Sequence, residues 1–76
     1  MGFAVKNETN NATKRSPLWR CPNNSLVELR DGTRLLYYHA DGMYSLCRDM
    51  SGELCHPTAW TAVEVVRPLT AEEKAQ

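Results

Sequence analysis

Neither sign of charge is in excess in this sequence, and it has no long apolar runs. The 76 residues include nine basic and nine acidic ones, so the formal net charge is zero. Without an excess of positive charge there is no overall field to attract nucleic acid or a membrane surface. No apolar stretch reaches the length of a membrane-spanning helix or resembles the apolar core of a signal peptide. We therefore expect a cytoplasmic protein without a membrane partner.

Catalytic signatures are missing as well. The sequence contains no glycine-rich phosphate loop, no nucleophile elbow and no His-Glu-x-x-His motif. Asp31, Asp41 and Asp49 lie in or beside predicted turns, where aspartate is favoured because it forms local hydrogen bonds. Cys55 and His56 are adjacent, and neighbours on a strand point to opposite faces, so they are poorly placed as a nucleophile and its base. We therefore predict a protein that is not an enzyme and needs no cofactor.

The cysteines are too few and too far apart for a disulfide scaffold or a zinc site. Three cysteines cannot all pair with one another. Zinc ligands usually come in pairs about two to four residues apart, whereas Cys47 and Cys55 are eight residues apart and Cys21 is alone. No metal site is predicted. If Cys47 and Cys55 lie opposite each other on neighbouring strands, they could still form a cross-strand disulfide under oxidation.

The residues that are present divide the chain into three parts. Residues 1–16 are predicted to form a flexible basic arm, because the run 6–15 has one alanine as its only apolar residue and cannot offset the entropy of being ordered. Residues 17–68 form the folded domain, which begins with an extended edge segment because Pro17 and Pro22 interrupt it. Residues 69–76 form a short helical or frayed tail, in which Thr70 and Glu73 have the spacing of a capping box.

Glycine-marked turns divide the domain into short strands. Asp31-Gly32, Asp41-Gly42 and Ser51-Gly52 suit tight hairpins, because glycine readily adopts a positive φ. The runs between them are rich in Leu, Val and Tyr, and a spacing of about ten residues is typical of an antiparallel meander. Residues 55–60 suit a single 3₁₀ turn, and residues 61–67 alternate as a last strand. We expect about five strands.

The same turns predict which residues share a face of the sheet. A two-residue loop at the second turn would place Tyr37 opposite Leu46, and a three-residue loop at the third turn would place Cys47 opposite Cys55. The more apolar face is expected to form the core, and it comprises Val27, Leu29, Leu35, Tyr37, Tyr44, Leu46, Leu54, Val63 and Val65. The other face is expected to be partly exposed, and it comprises Leu36, Tyr38, Met43, Ser45, Cys47, Glu53 and Cys55.

The partly exposed face supplies a candidate binding patch. Tyr, Trp, Met and Arg are enriched at protein interfaces. The predicted partner-binding residues are Trp19, Leu36, Tyr38, Met43 and Arg48. Self-association through the strip of Leu36, Tyr38 and Met43 is a second use of this surface. Trp60 is instead expected to fill the open end of a small barrel.

The layout of the domain resembles that of the SH3-like small barrels, which include Tudor-like and KOW-like modules. The resemblance covers roughly residues 25–68, with the segments LRDGTRLLYY, ADGMYSL, DMSGEL and AWTAVEVV. It implies a mainly all-β fold, either an SH3-like barrel or a strongly bent antiparallel meander, and by analogy a bacteriophage or mobile-element origin. The expected function is a small protein that docks on a host protein and inhibits or redirects it. The alternative is a nucleic-acid-binding barrel whose basic arm contacts the phosphate backbone.

Overall fold

Short β-strands dominate the chain. The computed structural model describes residues 15–76, so most of the predicted arm, residues 1–14, lies outside the described residues. The described strands are β1 (Ser16–Pro17), β2 (Ser25–Leu29), β3 (Arg34–Asp41), β4 (Tyr44–Asp49), β5 (Leu54–Cys55) and β6 (Ala62–Pro68). A 3₁₀ turn spans Leu18–Arg20, and one helix, α1, spans Ala71–Ala75 near the end of the chain. The prediction of a mainly all-β fold with a short helical tail is confirmed.

The strands form one antiparallel sheet in the order β1-β6-β2-β3-β4-β5. Strands β2 to β5 follow one another as a meander, and β6 returns to pair with β2. Within the described residues the terminal strands β1 and β5 do not pair with each other, so the sheet is not a closed barrel. Both terminal strands are two residues long, which limits the length of backbone that they expose at the sheet edges.

Two of the hairpins have three-residue loops that end in glycine. Gly32 and Gly52 have φ values of 93° and 94°, a backbone conformation that residues with a Cβ atom rarely adopt. In the second of these loops the Asp49 carboxylate accepts hydrogen bonds from the amides of Ser51 and Glu53. Strand β5 then pairs Cys47 with Cys55, so the predicted three-residue loop and its register are confirmed.

The hairpin between β3 and β4 turns one residue later than the sequence predicts. Asp41 pairs with Tyr44, so the two loop residues are Gly42 and Met43. Gly42 has a φ of 68°, and Met43 does not have a positive φ. A positive φ at the first loop residue alone is the pattern of a type II′ turn, in which glycine occupies that position. The predicted loop at Asp41-Gly42, with glycine second, is wrong.

This register changes which side chains share a face. The register shifts again between Tyr37 and His39, so Tyr37 lies opposite Cys47 and not opposite Leu46. Because side chains alternate along a strand, this shift of one residue exchanges the two faces of β4 and β5 relative to Tyr37. Tyr44, Leu46 and Leu54, which were predicted for the core, are therefore half-buried or exposed. Val65, also predicted for the core, is 40% exposed on β6, which this register does not affect.

The main core lies on the face that carries Tyr37. Its buried members are Leu18, Cys21, Val27, Leu35, Tyr37, Cys47 and Val63. The prediction is confirmed for Val27, Leu35, Tyr37 and Val63, and Leu29 packs against the cluster while partly buried. Leu18 closes this face from the 3₁₀ turn, which is held in place because the Leu18 amide donates to the Thr61 carbonyl at 3.0 Å. Where a single 3₁₀ turn was predicted at residues 55–60, no 3₁₀ helix forms, but the Thr61 amide donates to the Thr58 carbonyl at 3.1 Å and closes one i→i+3 turn.

The C-terminal tail covers the opposite face of the sheet. Leu69 is buried against Leu26 and Leu36, and the Tyr38 hydroxyl donates to the Glu73 carbonyl at 3.1 Å. The predicted capping box is present, because the Thr70 hydroxyl accepts from the Glu73 amide and the Glu73 carboxylate accepts from the Thr70 amide. The strip around Leu36 was expected to be partly exposed. That expectation is wrong for Leu36, which the chain's own tail buries, whereas Tyr38 is half-buried and Met43 is exposed.

Replacing Leu69 tests this packing. We expect Leu69→Ala to lower the free energy of unfolding by at least about 2 kcal/mol, because it removes buried methyl groups and leaves a cavity over Leu26 and Leu36. Urea denaturation measures the change. Val66→Ala is the control, because Val66 is 41% exposed on the neighbouring strand and should change the stability little. A Leu69→Ala loss no larger than the control would contradict the packing.

The ion pair between Arg67 and Glu73 should make the stability depend on pH. The Arg67 guanidinium donates a hydrogen bond of 2.8 Å to the Glu73 carboxylate, and this bond lowers the pKa of Glu73 from 4.5 to about 2. A lowered pKa contributes stability above the unfolded-state value, and that contribution is lost as the pH falls from about 4.5 towards 2. We expect Glu73→Gln, which keeps a capping-box residue, to be less stable than the wild type at pH 7 and equally stable near pH 2. Glu72→Gln, which removes a charge from the same helix and leaves the ion pair in place, is the control, and a pH dependence of Glu73→Gln no larger than that of the control would contradict the role of the pair.

Candidate functional site

Three exposed apolar side chains flank one buried residue near the tip of the β3–β4 hairpin. Ala59 is only 1% exposed. Its amide donates to the Met43 carbonyl at 2.8 Å, and its carbonyl accepts from the Trp19 amide at 3.1 Å. Trp60 follows Ala59 directly in the chain. These contacts bring together residues from three separate segments, and we call Trp19, Met43 and Trp60 the Trp19–Met43–Trp60 surface.

The side chains of this surface are largely in contact with solvent. Trp19, Met43 and Trp60 are 51%, 60% and 60% exposed. Trp60 was expected to fill the end of a barrel, and that expectation is wrong because Ala59, not Trp60, is the residue of this turn that is buried. The Arg20 guanidinium lies 5.2 Å from the centre of the Trp19 ring, a distance at which a cation attracts an aromatic face. The surface therefore combines residue types that are common at the centres of protein interfaces.

A cleft of about 250 Å³ lies beside this surface, at the adjoining ends of β3 and β4. It is lined by His39, Asp41, Tyr44, Ser45, Leu46 and His56. The hairpin register creates it, since Asp41 lies opposite Tyr44 and His39 lies opposite Leu46. Directly opposed residues on neighbouring strands project from the same face. The cleft thus has a carboxylate, an aromatic ring and an imidazole from the hairpin itself.

His56 completes the cleft from the segment that follows β5. This segment is fixed to β4, because the amide and the hydroxyl of Ser45 both donate to the Pro57 carbonyl, at 2.9 and 2.8 Å. The His56 Nδ1 atom is 3.1 Å from the Ser45 carbonyl, which can only accept a hydrogen bond. Nδ1 therefore carries a proton, and the Nε2 atom of the neutral ring is an acceptor.

The five predicted partner-binding residues do not form one patch. Leu36, Tyr38 and Arg48 share a face, but Leu36 is 3% exposed beneath the tail. The Arg48 guanidinium donates to the Gly52 carbonyl of its own hairpin at 2.6 Å. Trp19 and Met43 are brought together elsewhere, through Ala59. The role of all five in binding a partner stays a prediction.

The prediction missed Trp60 as a surface residue, and it missed the cleft. The sequence predicts Asp41 as a turn residue and Tyr44 and Leu46 as core residues. The missing signal was the bulge at Tyr38. Tyr44 shares a face with His39 whether the two-residue loop is Asp41-Gly42 or Gly42-Met43, so only the register shift between Tyr37 and His39 places Tyr44 and Tyr37 on opposite faces.

The three cysteines gather around the main core as free thiols. Cys21 and Cys47 are buried, and Cys55 is half-buried. Burial raises the pKa of Cys47 to about 11 and also raises the pKa of Cys55. A raised pKa leaves less thiolate, which is the reactive form. Within residues 15–76, no three His, Cys, Asp or Glu side chains converge as ligands for a metal ion.

Comparisons of this chain with protein-family models, with curated proteins and with solved structures found no match. The resemblance to SH3-like barrels therefore stays a prediction. In the part of the chain that the structure describes, no helix has the length and apolar character needed to cross a membrane.

Oxidation tests the pairing of β4 with β5. Cys47 and Cys55 are directly opposed, at a spacing that a disulfide can span. We expect oxidised glutathione to convert the two thiols slowly into an intramolecular disulfide, releasing two molecules of reduced glutathione and lowering the protein mass by two hydrogens. Mass spectrometry under denaturing conditions measures this. Cys21→Ser should still lose two hydrogens and Cys47→Ser should not, whereas a disulfide that persists in Cys47→Ser would contradict the register.

Proposed function

We propose that this protein is a non-enzymatic binding protein that docks on a partner protein through the Trp19–Met43–Trp60 surface and inhibits or redirects that partner. The observation that carries the proposal is the exposure of three large apolar side chains around the buried Ala59. Exposed apolar area costs roughly 25 cal/mol per Å² relative to burial. A partner that covers these side chains would remove this cost, and clustered apolar patches commonly mark such interfaces.

The backbone that carries the surface is held together by hydrogen bonds. These bonds join the 3₁₀ turn, the hairpin tip and the segment around Ala59. A backbone that is already ordered loses less conformational entropy on binding, so more of the contact energy contributes to affinity. Action on a host protein in the cytoplasm, with a bacteriophage or mobile-element origin, belongs to the same proposal and rests on the SH3-like layout.

Charge favours a protein over a nucleic acid as the partner. Residues 15–76 carry seven basic and eight acidic side chains. Asp41 lies directly beside the hairpin loop that contains Met43, where a carboxylate would repel a phosphate backbone. Arg20 above the Trp19 ring would suit a stacked nucleobase, so nucleic-acid binding is the alternative that the experiment must distinguish.

Substitution of the surface residues tests the proposal. The full-length chain would be used to capture a partner from bacterial lysate, and the dissociation constant for the purified partner would then be measured. We expect Met43→Ser and Trp60→Ser to weaken binding about 30-fold each, since an interface hot spot is worth about 2 kcal/mol. Met50→Ser is the matched control, because Met50 is 61% exposed in a different hairpin.

Two results would contradict the proposal. Unchanged affinity in Trp19→Ser, Met43→Ser and Trp60→Ser would show that the surface is not the interface. A complex that disappears on nuclease treatment, and whose affinity falls steeply as salt is raised, would show that the partner is a nucleic acid. A protein interface centred on apolar side chains should instead depend only weakly on salt.

A further inference from the structure

The cleft beside the Trp19–Met43–Trp60 surface has an unusual balance of charge. Asp41 supplies a carboxylate, and none of the lining residues is a lysine or an arginine. The ion pairs within residues 15–76 are Arg34–Glu28 and Arg67–Glu73, so no described basic side chain neutralises Asp41. With neutral histidines the cleft therefore carries a net negative charge.

The remaining lining atoms mostly accept hydrogen bonds. The Nε2 atom of neutral His56 is an acceptor, because its Nδ1 atom is committed to the Ser45 carbonyl at 3.1 Å. The Tyr44 ring, in a side chain that is 56% exposed, offers an aromatic face. Leu46 adds an apolar wall. A ligand that suits this cleft must carry positive charge, several N–H donors and a short apolar stem.

We propose that the cleft formed by His39, Asp41, Tyr44, Leu46 and His56 binds the guanidinium group of an arginine side chain. The planar guanidinium has five N–H donors, pairs with a carboxylate and stacks on aromatic faces. Its methylene stem would lie against Leu46. The volume of about 250 Å³ is below the roughly 300–1,000 Å³ of sites for whole small molecules, so a single side chain is the better match.

This inference deepens the proposed function, on which it rests for its biological role. The cleft adjoins the surface because Tyr44 follows Met43 directly and pairs with Thr58 beside Ala59. A partner that covers the apolar surface would thus bring an arginine within reach of the cleft. The apolar contacts would supply affinity, and the charged contact would select partners that present an arginine at that point.

The direct test uses a small probe and needs no partner. The full chain, labelled with ¹⁵N and ¹³C, would be titrated with N-acetyl-arginine amide and followed by NMR. We expect saturable shifts in the imidazole resonances of His39 and His56 and in the ring resonances of Tyr44. N-acetyl-citrulline amide, which has nearly the same shape without the charge, should produce much weaker binding, and N-acetyl-lysine amide should bind less well than the arginine probe.

Variants distinguish the cleft from general charge attraction. Asp41→Asn should weaken binding of the arginine probe about fivefold, the effect of losing one exposed ion pair. Glu53→Gln removes the same charge from an exposed position on another loop and should leave the affinity unchanged. Equal binding of the arginine and citrulline probes, shifts that do not saturate, or equal effects of the two variants would overturn the inference. If the cleft does not bind arginine but the proposed docking surface is correct, Met43→Ser will weaken binding of the protein partner and Asp41→Asn will not.

Discussion

The pairing of β3 with β4 decides how this chain distributes its side chains. Tyr37 lies opposite Cys47 because the hairpin turns at Gly42-Met43 and the register shifts again after Tyr37. A strand alternates its side chains with a period of two residues, so a slip of one residue exchanges the two faces. The observed register buries Cys47 against Tyr37 and brings Tyr44 to the surface. In this register the candidate cleft lies on the face opposite Tyr37 and Cys47.

A single sheet of this size has two apolar faces and few residues with which to cover them. The 3₁₀ turn covers part of one face with Leu18, and the tail covers part of the other with Leu69. Both covers are short segments held by a few backbone hydrogen bonds. Because small domains bury little surface, each cover should contribute a large share of the total stability. The apolar residues that neither segment covers include Trp19, Met43 and Trp60.

The sequence contains enough local information for the strands and turns but not for the long-range contacts. The presence of a hairpin at each of the three glycines, the Thr70–Glu73 capping box and the pairing of Cys47 with Cys55 were all predicted, because each follows from residues within about ten positions of one another. The β3–β4 register was not, since one glycine suits two loop positions and no glycine marks the register shift between Tyr37 and His39. The docking of Leu69 and the exposure of Trp60 depend on segments far apart in the chain, and residue patterns do not encode such distances.

The proposed function and the cleft share one structural cause, because both depend on the type II′ turn that places Met43 at the hairpin tip and Tyr44 at the start of β4. The amides of Ser45 and Asp49 donate to Pro57 and Glu53, which lie on the side of β4 away from β3. The direction of the amides alternates along a strand, so the Cys47 amide also points away from β3. Tyr37 and Cys47 therefore form a non-hydrogen-bonded pair, in which the α-protons lie closest. A nuclear Overhauser spectrum of the full chain should therefore contain a strong cross-peak between the α-protons of Tyr37 and Cys47. A corresponding cross-peak between Tyr37 and Leu46 instead would contradict the account.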